Sequence, residues 1–338
     1  MSVLLSVEGL KVELGGTTIL HNIRFEVNAG EVLAIVGESG SGKTTLARAV
    51  AGLIPTTAGE MDLDGSRLVG LAPRAEPRVR TAIQMVFQNP EAALNPRMAV
   101  RRLIEEPMKL HRIPRAARKV RVDELLRQVG LTDEMAEKHP HQLSGGQRQR
   151  VCIARALAAD PSLLIADEAL SALDVSIQSQ IINLFIDLKK TLGLTYLFIS
   201  HDLAVVQHIA DRVLVLFAGN TVEEAGYESF WAEPAHPYTL SLMAASPVAD
   251  PVMARAKRQE IRALPSVEAA RVAQGCAYQK RCTFAADRCA AEVPVLRDIG
   301  GGHKAACHFA EAVRERRRLA GPVAFPVRDV EEPRSLRA

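Results

Sequence analysis

The sequence predicts an α/β fold: a mainly parallel sheet core, an antiparallel β-subdomain, a helical subdomain and a small cysteine-containing C-terminal extension. Three observations predict it. Gly37-Glu38-Ser39-Gly40-Ser41-Gly42-Lys43-Thr44 fits the phosphate-binding pattern G-x-x-x-x-G-K-[ST], and it lies between a strand-like run, Val32 to Val36, and a helical run, Thr45 to Leu53. Apolar runs at Leu163 to Ala166, Tyr196 to Ile199 and Val213 to Phe217 alternate with helical runs around Ile177 to Leu192 and Asp202 to Ala210, as in a sheet covered on both faces. From about Pro96 to Ala159 the spacing is helical.

In chain order, residues 3–14 alternate loosely, and Gly15-Gly16 supplies the positive φ of a hairpin turn before Ile19 to Val27. Val32 to Val36 is continuous, like a central parallel strand, and the helix after the glycine loop stops before Pro55. Gly59 to Gly65 returns to the β-layer, and Ile83 to Phe87 is a strand that delivers Gln88 beyond its end. Val120, Glu124, Leu125, Leu126 and Val129 follow helical spacing up to Gly130, and a second helix from Gln147 to Ala159 carries Val151, Ala154, Leu157 and Ala158 on one face. The boundaries expected are 1–233 for a nucleotide-binding domain with its helical subdomain at about 96–159, 234–310 for the extension, and 311–338 for a charged, disordered tail. Prolines 234, 237, 247, 251 and 265 punctuate the connector into the cysteine segment.

Composition narrows the function classes. With 338 residues and 48% hydrophobic content the chain can bury a full core. A formal charge of +3, from 42 basic and 39 acidic residues, does not point to nucleic acid. No apolar run approaches the ~18–20 residues that span a bilayer, and Met1 to Leu5 lacks the basic start of a signal peptide. A cytosolic chain is expected, reaching a membrane only through partners. Five cysteines in such a chain argue against disulfides; four lie between Cys276 and Cys307, which points to metal.

The chemistry rests on five places. In the glycine loop, Gly37 to Thr45 would present backbone N–H groups to phosphate oxygens at the positive end of a helix. Lys43 would reach the β- and γ-phosphates, and the Thr44 hydroxyl would take Mg²⁺. Leu163 to Glu168 is a strand ending in two carboxylates: Asp167 would hold Mg²⁺ through water, and Glu168 would polarise the attacking water. Gln88 and His201 each follow a strand directly, where open α/β sheets place ligand-contacting groups. Leu143-Ser144-Gly145-Gly146-Gln147 offers a second phosphate-binding helix start, capped by Ser144. Taken singly, each has a plain structural reading: a turn, a cap, a core histidine or a linker.

Together and in this order they resemble an ABC-transporter nucleotide-binding subunit. The resemblance covers residues 3–230: Walker A (37–44), the Q-loop Gln88, the signature Leu143 to Gln147, Walker B (163–168), the D-loop Ser171 to Asp174 and the switch His201. It implies a P-loop NTPase cassette that binds ATP and Mg²⁺ (Thr44, Gln88 and Asp167), with Glu168, His201, Lys43 and Gln88 as the catalytic set. It also implies head-to-tail pairing with a second ATPase subunit, a related chain or a second copy, so that Ser144, Gly145, Gly146 and Gln147 serve the partner's nucleotide. Two positions depart from the family. Leu14 stands where an adenine-stacking aromatic is usual, and Ala169-Leu170 follows Walker B where the subfamily commonly has Pro-Thr.

Val86 to Pro90, Ala93 to Pro96, His236-Pro237-Tyr238-Thr239 and the cysteine extension are similar to the dipeptide, oligopeptide and nickel importer subfamily. That implies an ATP-hydrolysing subunit on the cytoplasmic face of the inner membrane. Its partners would be two transmembrane permease subunits and an extracytoplasmic substrate-binding protein, and its cargo peptides; nickel, glutathione, opines and sugars stay open. The spacing C-x5-C-x6-C-x17-C of Cys276, Cys282, Cys289 and Cys307 fits no common zinc finger; four thiolates suit an Fe–S cluster or Zn²⁺, and the resemblance favours [4Fe-4S]. Cys152 on the signature helix is expected to pack, and His308 to be a neighbour rather than a ligand. A soluble nucleic-acid-acting ATPase is disfavoured, because only about a hundred residues, without sustained heptads, separate Lys43 from Ser144. A metal-binding regulator with a degenerate cassette conflicts with intact Lys43, Asp167, Glu168 and His201. An exporter would usually carry its own transmembrane domain.

Overall fold

The computed structural model describes residues 2–68, 81–110, 112–246 and 274–319. Two sheets share one core. The smaller is antiparallel, in the order β2-β1-β4-β5, from β1 (Val3–Leu14), β2 (Thr17–Asn28), β4 (Ala58–Leu63) and β5 (Ser66–Leu68). Its hairpin pairs Leu14 with Thr17 across Gly15 and Gly16, whose φ of 56° and 75° match the twist of the flanking strands.

The larger sheet has eight strands. β3 (Val32–Val36), β6 (Ile83–Val86), β7 (Leu163–Asp167), β8 (Thr195–Ser200) and β9 (Arg212–Phe217) run parallel in the order β9-β3-β8-β7-β6. β10 (Asn220–Gly226), β12 (Lys304–Ala305) and β11 (Arg297–Asp298) extend it antiparallel beyond β9.

The period of two along the parallel strands divides the core. Ile35, Leu163, Ile165, Leu197 and Ile199 face the small sheet, with α1 (Lys43–Val50) packed between the two through Leu46, Ala47, Ala49 and Val50. Leu164, Ala166, Tyr196 and Phe198 face the opposite way, onto α3 (Val100–Leu110), α4 (Arg115–Gln128), α5 (Gly145–Leu157) and α6 (Val175–Leu192), the short α2 (Pro90–Ala93) lying ahead of them. Val151, Ala154, Leu157 and Ala158 are buried as their spacing predicts, and Cys152 packs among them. Val120 is not part of the buried stripe: it is 59% exposed, and α4 turns Val122, Leu125 and Leu126 inward instead. α1 starts two residues before the expected Thr45 and ends at Val50, because the chain turns at Gly52, with φ 65°.

After β8, α7 (Leu203–Ile209) leads to β9; α8 (Tyr227–Ala232) and α9 (Pro237–Ala245) follow β10. The Glu223 carboxylate on β10, with no exposed surface, organises this end. It accepts the N–H groups of Ala235 (2.7 Å) and His236 (2.9 Å) and the Thr239 hydroxyl (2.5 Å), and it pairs with His303 Nε2 at 2.7 Å. One buried carboxylate thereby fixes the start of α9 and the strand pair β11–β12. α10 (Asp287–Ala291) and α11 (Ala310–Leu319) complete the extension.

The first part of the expected disordered tail is helical. α11 buries Val313, Arg314 bonds the Glu233 carboxylate at 2.5 Å and the Ile299 carbonyl at 3.1 Å, and Arg316 lies 5.3 Å from the Phe284 ring centre. A reading of charge and missing periodicity could not see these partners. Residues 320–338 of that tail, and the prolines at 247, 251 and 265, lie outside the described residues.

His236 gives the extension a pH dependence. Its Nδ1 accepts the Tyr238 N–H at 3.0 Å, and complete burial pushes its pKa from 6.5 down to about 4, with Glu223 opposing. The unfolded chain therefore binds the proton first, and this contribution to stability is lost as pH falls from about 6.5 to about 4. The loss should reach about 3 kcal/mol. Thermal melts of the native chain and of His236→Asn across that range should show a shallower pH slope in the variant.

Candidate functional site

The site forms where the parallel strands end. β3 runs out at Val36, and the chain passes so close to β9 that a Cβ on Gly37 would lie 2.2 Å from the Leu216 carbonyl oxygen and 2.8 Å from Ser41 Oγ. Gly42, with φ 106°, caps α1; a Cβ there would lie 2.8 Å from Leu20 Cδ2. These glycines let the loop curl under the helix, whose first N–H groups lack intrahelical acceptors and stand at its positive end. Ser41 Oγ is buried without a hydrogen-bond partner among the described residues. A cradle that side chains would fill, together with an orphaned hydroxyl, fits a phosphate group.

Lys43 is 4% exposed. Its ammonium donates to the carbonyls of Gly37 (2.8 Å) and Glu38 (2.9 Å) and lies 3.9 Å from Glu168 Oε1. Burial pushes its pKa down, and the charges of Glu168, Asp167 and Glu38 oppose the shift. The Thr44 hydroxyl donates to Asp167 Oδ1 at 3.1 Å. Burial raises the Asp167 pKa, and the Thr44 bond works against the rise. A hydroxyl beside a carboxylate is a hard-oxygen pair of the kind Mg²⁺ takes together with water and phosphate oxygens.

Glu168 adopts φ 46°, unusual for a residue with a side chain, and its N–H is held by the Ile199 carbonyl at 3.0 Å. The turn aims its carboxylate back across the strand ends. Gln88 Nε2 reaches Oε2 at 2.9 Å from beyond β6, and His201 Nδ1 lies 3.4 Å from Oε1 beyond β8. Gln88 also contacts Ser171 Oγ at 3.3 Å, and that hydroxyl donates to the Glu168 carbonyl at 3.0 Å. A cavity of about 70 Å³, large enough for water, opens beside Glu168, Ser171 and His201. Lys43, Thr44, Gln88, Asp167, Glu168 and His201, spread over 159 positions, therefore meet in one place.

The signature residues do not join them. Ser144 Oγ accepts the Gln147 N–H at 3.3 Å, and Gln147 Oε1 accepts the Ser144 N–H at 3.0 Å, a reciprocal cap that opens α5. Ser144 and Gly145 are exposed, and the side-chain hydrogen bonds of Ser144 and Gln147 are to each other among the described residues. Gly146 faces Ile177, where a Cβ would come within 2.7 Å of Cγ2, so α5 starts against α6. Ala169 and Leu170 are buried in the core, and Gln178 Nε2 holds the carbonyls of Leu170 and Leu173 at 3.0 Å each, which shapes the turn after Glu168. Leu14, at the hairpin tip, is 42% exposed.

The expected metal group at the cysteines is not formed. Among the described residues, no three Cys, His, Asp or Glu side chains are placed to hold a metal ion. Cys276 and Cys282 lie against the core around Tyr238 and Tyr278, Cys307 packs with Ala235, Ala305 and Ala310, and the four thiols are near enough that, beyond burial, Cys282, Cys276 and Cys289 each raise the Cys307 pKa. Cys282 Sγ accepts the Phe284 N–H at 3.3 Å, and Cys307 Sγ accepts the Phe309 N–H at 3.4 Å. Burial pushes these two thiols up to about 11 and about 12 in the metal-free chain. His308 bonds the Glu292 carbonyl at 3.1 Å.

Two contacts escape any local reading. Tyr238 Oη accepts the Glu38 N–H at 2.7 Å, and Arg281 grips the Glu38 carboxylate through Nη1 at 2.9 Å and Nη2 at 2.8 Å. Separations of 200 and 243 residues leave no periodicity or motif spacing to signal them.

The chain is similar to known proteins. Residues 20–171 match the family described as ABC transporter, and residues 222–289 match the oligopeptide/dipeptide transporter C-terminal region. A probable peptide ABC transporter ATP-binding protein of Sinorhizobium fredii is 47% identical over 86% of this chain and 82% of its own length. The di/tripeptide transport ATP-binding protein DppF of Pseudomonas aeruginosa is 43% identical over 86% of this chain and 90% of its own. Among solved structures, cbiO1 of Clostridium perfringens, part of the ABC transporter complex cbiONQ, matches with TM-score 0.63 at 30% identity, over 69% of this chain and 92% of that one. The ATP-binding cassette MJ0796, as a post-hydrolysis dimer bound to ADP and Pi, matches with TM-score 0.59 at 29% identity, over 66% and 98%.

The close approach at Gly37 generates a direct expectation. Gly37→Ala should shift the loop and weaken nucleoside triphosphate binding at least about tenfold, because a backbone carbonyl cannot yield as a flexible side chain can. Calorimetric titration with a non-hydrolysable ATP analogue checks this, with far-UV circular dichroism confirming that the fold is retained.

Proposed function

The chain belongs to the ABC transporter ATP-binding family, and we propose that it is the ATP-hydrolysing subunit of an importer that takes up di- and oligopeptides. The observation that carries the catalytic part is the convergence of Lys43, Gln88 and His201 on the Glu168 carboxylate, within 3.9 Å, beside the Thr44–Asp167 pair. The peptide cargo is supported by the C-terminal region matched over residues 222–289 and by relatives named for peptide transport.

In this reading the loop from Gly37 to Thr45 cradles the phosphates. Lys43, now bonded to two loop carbonyls, turns its charge to the β- and γ-phosphates when nucleotide enters. Thr44 and Asp167, with Gln88, would hold Mg²⁺, whose chemistry there would be to offset charge on the transferred phosphoryl group. Glu168 orients the attacking water and accepts its proton, while His201 and Gln88 fix the carboxylate and sense the γ-phosphate. The start of α5 at Ser144 is exposed and capped by its own Gln147, which suits it to the nucleotide held by a second ATPase subunit. Closure of that pair on ATP and its release after hydrolysis would drive two permease subunits, fed by an extracytoplasmic binding protein, from the cytoplasmic face of the inner membrane. No helix among the described residues is long and apolar enough to cross a membrane. The reading makes no use of the [4Fe-4S] cluster or Zn²⁺ expected at Cys276, Cys282, Cys289 and Cys307.

Two measurements test the proposal. Glu168→Gln should lower ATP turnover about 100-fold or more while leaving Mg-ATP bound and the ATPase pair closed, as read by single-turnover hydrolysis and gel filtration. In proteoliposomes carrying the complete transporter, turnover should rise when the binding protein is loaded with mixed di- to hexapeptides. Stimulation by Ni²⁺-loaded protein instead would reject the peptide cargo.

A further inference from the structure

Glu38 is the acidic residue inside the glycine loop, and each of its polar groups is engaged. Its carbonyl accepts Lys43 Nζ at 2.9 Å and the Ser41 N–H at 3.2 Å. The other two anchors come from the far end of the chain: Tyr238 Oη on its N–H, and the two-pronged Arg281 guanidinium on its carboxylate. Tyr238 is fully buried, with its ring 4.5 Å from Phe217 and 5.4 Å from Tyr278. The Arg281 guanidinium carbon lies 5.5 Å from the Tyr278 ring centre and 6.0 Å from that of Phe217, so this aromatic group holds the fork in place.

We propose that Arg281 is a positioning residue for the nucleotide-binding loop: it neutralises Glu38 at the phosphate cradle, so the C-terminal cysteine segment sets the affinity for ATP. A carboxylate in a loop built to bind a polyanion works against the ligand. Its charge already acts on Lys43, where burial lowers the ammonium pKa and Glu38, with Glu168 and Asp167, opposes that lowering. With Arg281 paired, that charge is spent on the guanidinium and the cradle keeps its positive field. The pair is 21% and 39% exposed, a position where ion pairs add little to folding stability. Its consequence therefore falls on the loop. Arg281 directly precedes Cys282, so a change in the backbone of the cysteine segment reaches the phosphate site through one side chain. The inference rests on the ATP-binding reading of the loop.

Calorimetric titration of the full chain with the Mg²⁺ complex of a non-hydrolysable ATP analogue tests it. Arg281→Ala should weaken binding about tenfold, Arg281→Lys should stay within about threefold of the native chain, and adding Glu38→Gln to Arg281→Ala should restore affinity to within about threefold. In the assembled transporter, Arg281→Ala should raise the KM for ATP by a similar factor and lower kcat less than twofold. Unchanged affinity in Arg281→Ala overturns the proposal, and so does a double variant as weak as the single one, since a packing defect would not be relieved by removing a charge. If Arg281→Ala fails to fold, Glu38→Gln alone decides: affinity equal to or above native supports the inference, and a tenfold loss overturns it. A native chain that binds no nucleotide would reject the reading of the loop itself, and the inference with it.

Discussion

A lysine ammonium buried at the end of a parallel strand sets the terms for everything around it. Lys43 is 4% exposed, and a charge there persists only if polar groups surround it. The loop supplies two carbonyls, and the facing strand supplies Asp167 and Glu168. To bring these together, β3 and β7 must flank β8 in register, with Val36 beside Ser200 and Asp167 beside Ile199. The sheet order is thus the means by which a cationic site is built at the C-terminal ends of the strands.

The same geometry accounts for the backbone irregularities at the site. Gly37 passes within side-chain distance of β9, Gly42 opens α1 with positive φ, and Glu168 takes a left-handed conformation to point its carboxylate back over the sheet. Strain of this kind survives where neighbours over-determine it. Here the Ile199 carbonyl, Ser171 and Gln88 do so from three directions. On the other side of the loop, Tyr238 and Arg281 hold Glu38, so the nucleotide site is walled by the sheet and by the C-terminal extension together.

The extension has its own organising group in Glu223, buried and bonded by four donors drawn from residues 235–303. It lies on β10, which pairs with the parallel sheet through β9, so the extension is a continuation of that sheet rather than an appended unit. The conformation of the cysteine segment and the conformation of the loop are coupled through this shared packing, with Phe217, Tyr238 and Tyr278 in mutual contact.

Local chemistry made much of this legible before any coordinates. Gly15-Gly16 needed positive φ, the glycine loop needed a strand before it and a helix after it, Ser144 and Gln147 were spaced for a reciprocal cap, and Gln88, Asp167, Glu168 and His201 each stood at a strand end. Those features depend on residues within one or two turns of each other, and sequence determines them. What tertiary structure alone decided involves partners far apart in the chain. Val120, placed at helical spacing with Leu125 and Val129, is exposed because α4 turns Val122, Leu125 and Leu126 to the core, and the start of the tail became α11 because Arg314 meets Glu233 and Ile299. Arg281 found Glu38 across 243 residues. Periodicity and motif spacing report the conformation of a segment, whereas the meeting of two segments is set by the packing of the whole core, and only the folded chain contains that information.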